Sequence, residues 1–136
     1  MQQISKMKEG RAVLLFFLFL AFGVSIYGKS KAGIVFEKRN VNIGTVYKAN
    51  PIKVFYLNFK NNGSENLIIT DVRTDCDCTT TEYSGEPIAP NLSGRIKVRL
   101  DLHKFFPCDI FKKIAIYSNA NKKPIVINIK DRKSVV

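Results

Sequence analysis

Short extended stretches in which every second residue is apolar constrain this chain more than any other feature. Between positions 95 and 101, Ile96, Val98 and Leu100 alternate with Arg95, Lys97 and Arg99. A period of two puts these sets on opposite faces of an extended backbone, so the segment is a strand with a core face and a solvent face. Residues 52–60 repeat the pattern after Pro51, with Phe55, Leu57 and Phe59 on one face and Val54 and Tyr56 on the other. Leu67 joins Leu57 and Phe59 as an expected core residue. Further extended stretches occupy 34–37, 41–46, 67–74, 111–117 and 125–129.

Turn formers separate these stretches. Asn61, Asn62, Gly63 and Ser64 read as a hairpin turn. Residues 82–93 form a loop holding Gly85, Pro87, Pro90 and Asn91, and residues 118–124 read as the last turn. Beyond residue 33, no stretch keeps helical spacing over a window of about 11 residues. The pattern predicts an all-β fold, an immunoglobulin-like β-sandwich of about seven strands. Trp is absent, so the Cys…Trp…Cys arrangement of antibody domains is excluded.

The first 28 residues have a different grammar. Lys6, Lys8 and Arg11 precede an apolar run from position 12 to 24, and Ser25, Gly28 and Ser30 follow it. Charged start, short apolar core and small-residue exit describe an N-terminal hydrophobic signal helix. The run is shorter than the roughly 20 apolar residues of a comfortable membrane span. Residues 1–28 are therefore expected to be a signal peptide or an N-terminal anchor, with contact to membrane through residues 12–27 if uncleaved. In both cases the domain, residues 34–131, is expected to be exported to the periplasm or cell surface.

Loss of residues 1–28 lowers the net charge from +11 by two, to +9. On an exported chain this charge suits anionic surfaces, not nucleic acid, although scattered Lys and Arg also serve simply to solvate outer strand faces.

Chemistry-bearing residues are few. Beyond position 28 the chain has Cys76, Cys78, Cys108 and the single histidine, His103. In an oxidising compartment three thiols leave at least one free or paired with another chain. On an extended strand, residues two apart sit at the long limit of disulfide geometry, so a Cys76–Cys78 bond needs a bulge or turn. A bridge to Cys108 stays open as well. In number, Cys76, Cys78, Cys108 and His103 make a Cys₃His set for zinc, but the C-x-C spacing departs from the usual C-x₂-C, and no metal or other cofactor is expected. Asp75 and Asp77 beside the cysteines disfavour a thiolate, which predicts a structural pair and not a fast redox nucleophile. His103 and Cys108, five residues apart, would face opposite sides of a strand. Gly-rich phosphate loops, H-E-x-x-H and G-x-S-x-G are missing, so an enzyme is not expected.

Several short motifs follow one another in a fixed order. Asn61, Asn62 and Gly63 come first, then residues 67–72, then Cys76, Asp77, Cys78 and Thr79. Glu86, Pro87, Ile88, Ala89 and Pro90 follow, and then Phe111, Lys112, Lys113 and Ile114, and Tyr117, Ser118 and Asn119. In this order they resemble the exported bacterial domain-of-unknown-function 1573 family over residues 34–131. That family carries a Cys-Gly-Cys-Thr signature and a Pro-Ile-x-Pro-Gly loop, here Cys76, Cys78, Thr79, Pro87, Ile88 and Pro90. It is immunoglobulin-like, similar to the domains named for ASPM, SPD-2 and Hydin. The chain departs from the pattern where Asp77, Asn91, Cys108 with Asp109, and Asp131 stand at or near family glycines. The resemblance implies a fold and an address but no reaction. The expected function is a non-catalytic binding or scaffold module of the cell envelope, its partner a protein or an anionic envelope polymer. A thiol redox or metal-handling protein using Cys76 and Cys78, or a basic domain adhering to anionic polymers, are the alternatives.

Overall fold

The computed structural model describes residues 31–104 and 109–131, and the backbone of 134–135. The segment read as signal or anchor and Cys108 lie outside the described residues.

Alternation makes β4 (Ile52–Lys60) and β7 (Ser93–Asp101) the centre of one sheet. They pair antiparallel in continuous register, with Leu57 opposite Ile96 and Phe55 opposite Val98. β1 (Val35–Phe36) adds to β4, and β6 (Thr79–Glu82) adds to β7. A second four-stranded sheet has the order β2 (Asn40–Asn42), β9 (Asn121–Lys130), β8 (Phe111–Ser118) and β5 (Ile69–Thr74). Here β2 runs parallel to β9. A two-stranded parallel pair joins β3 (Val46–Tyr47) to β10 (Ser134–Val135).

The apolar faces of the two large sheets share one core. Ile96, Val98 and Leu100 from β7 are fully buried, as are Ile114 of β8 and Ile127 and Ile129 of β9. Leu57 and Phe59 are 3% exposed and Leu67 is 0% exposed, so every core residue expected from the alternation is buried. Each such side chain contributes about 1.5–3 kcal/mol by leaving water. Val54 and Tyr56, on the opposite face of β4, are about half exposed.

Four features differ from the sequence reading. Residues 41–46 hold the end of β2 and the start of β3, separated at Gly44, whose φ is +71°. Residues 79–81, given no element by the sequence, and Glu82, read as the start of a loop, form β6, and the β-branched Thr79, Thr80 and Thr81 suit it to a strand. The final turn is tighter than expected, because β9 begins at Asn121 and includes Pro124. The largest difference is at residues 61–64, which are no hairpin turn, since β4 and β5 belong to different sheets.

Asn61 explains that crossing. It is fully buried, and each polar group of its side chain is occupied. Oδ1 accepts from the backbone N–H of Gly63 at 2.9 Å and of Gly33 at 3.2 Å. Nδ2 donates to the carbonyl oxygens of Glu65 at 2.7 Å and Ile88 at 2.9 Å. The amide thus fastens residues 31–33, the crossing and the 83–92 loop to one point. Gly63 is required there by contact, because a Cβ on it would lie 2.3 Å from the Lys31 carbonyl oxygen.

Candidate functional site

The edge strand β5 ends at Thr74, and the chain passes from the edge of one sheet to the edge of the other through residues 75–78. Both ends of this crossing are tied down. Asp75 N–H donates to the Lys113 carbonyl at 3.3 Å, and the Asp75 carboxylate accepts from Lys113 N–H at 2.9 Å. On the far side Asp101 N–H donates to the Cys78 carbonyl at 2.8 Å.

Between these anchors the backbone turns, with Thr79 N–H donating to the Cys76 carbonyl at 3.1 Å. The turn draws the Cα atoms of Cys76 and Cys78 to 5.1 Å, and the two sulfurs are joined in a disulfide. This is the turn that the C-x-C spacing demanded. Cys78 N–H donates to Cys76 Sγ at 3.0 Å, while Cys78 Sγ lies 3.7 Å from the Thr79 hydroxyl. Asp77, where the family has glycine, has no positive φ, so its side chain fits without backbone strain. The bond closes only three residues. On the chain-entropy scale such a loop contributes about 1.6 kcal/mol, roughly half the value for fifteen residues.

The turn forms one wall of a groove of about 810 Å³. Asp101, His103, Lys104 and Lys112 contribute to its lining. His103 Nδ1 lies 2.5 Å from Asp101 Oδ1, and His103 N–H points to the same oxygen at 3.3 Å. An ionised carboxylate only accepts, so Nδ1 carries the hydrogen. The ring hydrogen bond from His103, then its backbone N–H, hold the Asp101 carboxyl below its ordinary value, with smaller help from the charges of His103 and Arg99.

The structure therefore brings Cys76, Cys78 and His103 to one groove. The oxidised pair offers a metal no thiolate, so two of the four sulfur and nitrogen donors counted in the sequence are already bonded to each other. Cys108 is outside the described residues. Pro87, Ile88 and Pro90 do not line the groove. Ile88 instead pairs with Leu67 and receives Asn61, and Asn91 after Pro90 has a φ of +66°, a left-handed conformation that Asn tolerates. Sequence reasoning missed Asp101 as the partner of His103, although residues two apart on an extended segment share a face.

A sequence model of the protein of unknown function (DUF1573) family matches residues 34–132. The chain belongs to that family. Among curated proteins none matches it. Among solved structures, it is similar to a protein of unknown function from Porphyromonas gingivalis W83, at 15% identity and a TM-score of 0.66. That match covers 79% of this chain and 49% of the other, so this chain spans about half of its structural relative. The VesB protease of Vibrio cholerae is similar over 74% of this chain and 31% of the protease, at 11% identity and a TM-score of 0.52. The periplasmic chaperone SfaE is similar at 12% identity and a TM-score of 0.51, over 76% of this chain and 60% of the chaperone. At these identities the likeness is one of fold alone.

Proposed function

We propose that this DUF1573 domain is a non-catalytic, exported binding or scaffold module of the bacterial cell envelope, built as an immunoglobulin-like sandwich. The strand order supports the fold. Orders β1-β4-β7-β6 and β5-β8-β9 correspond to the ABED and CFG sheets of immunoglobulin-type domains, with β2 added in parallel beside β9.

The observation that carries the binding reading is the position of β5 and β6. Each is the last strand of its sheet, and the disulfide turn connects them directly. Two consecutive edge strands present backbone donors and acceptors to which a partner can add a strand. A photo-reactive residue at exposed Thr80 on β6 should cross-link one discrete envelope partner, and the same residue at exposed Lys123 on β9 should not. Equal labelling from both positions, or none from Thr80, would end this reading. The export component has its own check. Protein recovered from the envelope should have an intact mass lacking residues 1–28, whereas a full-length mass in membranes identifies the anchor form.

A second reading draws on the outer faces. Arg95 lies 4.9 Å from the Tyr56 ring, and Lys113 and Lys130 lie 5.6 and 5.5 Å from the half-exposed Phe111 ring. Cations gathered over exposed aromatics on both sheets favour adhesion to anionic envelope polymers. Such binding should weaken steeply with added salt.

A further inference from the structure

We infer that the Cys76–Cys78 disulfide is an exchange site that accepts electrons from an external thiol, with Cys78 the sulfur attacked and Cys76 the leaving thiolate. The inference is independent of the binding reading, because it concerns the turn and not the strand edges.

Three observations lead to it. The bond spans three residues whose backbone is already fixed by the Thr79–Cys76 turn, the Asp75–Lys113 pair and the Asp101–Cys78 hydrogen bond. A cross-link that adds so little constraint is poorly suited to be a staple. Second, both cysteines are only half-buried and line a groove in which a thiol-bearing chain can approach them. Third, the two sulfurs are not equivalent. Cys76 Sγ accepts Cys78 N–H at 3.0 Å, a donor that stabilises a thiolate, and the Thr79 hydroxyl can also donate to Cys78 Sγ but only at the longer distance of 3.7 Å. Exchange is faster when the leaving sulfur is the better thiolate.

An external thiolate attacks Cys78 Sγ, a new S–S bond forms, and the Cys76–Cys78 bond breaks. The electron pair goes to Cys76 Sγ, which takes a proton from water as the local pH dictates. A second external thiol then attacks the sulfur of the first and releases Cys78. Two electrons have passed to the domain, and the two external thiols have become one disulfide. The carboxylates of Asp75 and Asp77 disfavour a thiolate on Cys76, and the Cys78 N–H donated to Cys76 Sγ offsets them. In the oxidised domain the pair is the electrophile, and the Asp75 carboxylate is already engaged by Lys113 N–H.

The probe is reduced glutathione, applied to the folded protein, expressed from the full coding sequence with Cys108→Ser so that only the pair reports. After acid quench and alkylation, peptide mapping should find the glutathionyl group on Cys78 at least tenfold more often than on Cys76. Cys76→Ser, lacking the resolving thiol, should accumulate the Cys78 mixed disulfide when given oxidised glutathione. Equal labelling of the two cysteines overturns the assignment of roles. A disulfide that glutathione reduces only after urea unfolding overturns the exchange site itself.

Discussion

The buried side-chain amide of Asn61 donates to the carbonyl oxygen of Ile88 at 2.9 Å, across 27 residues of chain. This bond joins the crossing between the two sheets to the loop that carries Pro87 and Pro90, and it turns a polar side chain into a fixed point of the core. Asn61→Leu removes the amide and leaves the carbonyls of Glu65 and Ile88 and the N–H groups of Gly33 and Gly63 without it. The expected cost is about 2–5 kcal/mol, since each unsatisfied buried group costs about 1–3 kcal/mol and some regain water. Asn61→Asp should also be destabilising, because it places a carboxylate oxygen against two carbonyl oxygens. Urea midpoints of the two variants check this; a loss under 1 kcal/mol for both would show the network to be dispensable.

Val98 and Lys97 are neighbours on β7 with opposite surroundings. Val98 is 0% exposed, and Lys97 reaches Glu82 at 3.1 Å on the solvent side. Val98→Ala should lose about 0.5–2 kcal/mol or more through lost burial and a residual cavity. Lys97→Ala should change stability by under about 0.5 kcal/mol, as exposed ion pairs contribute little. Equal displacement of the two denaturation midpoints would contradict the register.

Gly63 sits where a methyl group meets backbone and not a yielding side chain. The Gly33 nitrogen and Lys31 carbonyl oxygen would lie 2.2 and 2.3 Å from its Cβ. Gly63→Ala should cost about 1–3 kcal/mol, the usual range for overpacking, and should detach residues 31–33 from the crossing. Amide exchange at Ser64, which donates to Lys31 at 3.0 Å, reads this locally.

Asp101 is a carboxyl whose pKa is lowered from 3.8, mainly by the His103 ring hydrogen bond. A depressed carboxyl contributes stability that is present above its unfolded pKa and lost as pH falls through its lower folded pKa. The Asp101–His103 contact should therefore hold at neutral pH and release in acid below about pH 4. Carbon NMR titration of Asp101 should show its midpoint move upward in His103→Ala. An unchanged midpoint would mean that His103 does not set the Asp101 charge.

Alternation along β4 and β7 was sufficient by itself to identify the all-β class and the core face, because a period of two leaves one way to bury Leu57, Phe59, Ile96, Val98 and Leu100 together. The ordered motifs likewise pointed to the family. The C-x-C spacing stated a condition, that a turn must intervene, without saying whether one would form. Only the tertiary structure decided the rest. Asn61, Asn62 and Gly63 have the composition of a hairpin turn, and their role as a crossing depends on carbonyls supplied by Glu65 and Ile88. The groove unites the 74–78 turn with the end of β7 and with Lys112, residues that have no shared local pattern. Side-chain period is a local property of the backbone and is legible along the chain, whereas which strands become edges, and what meets at them, follows from how two sheets close over one core.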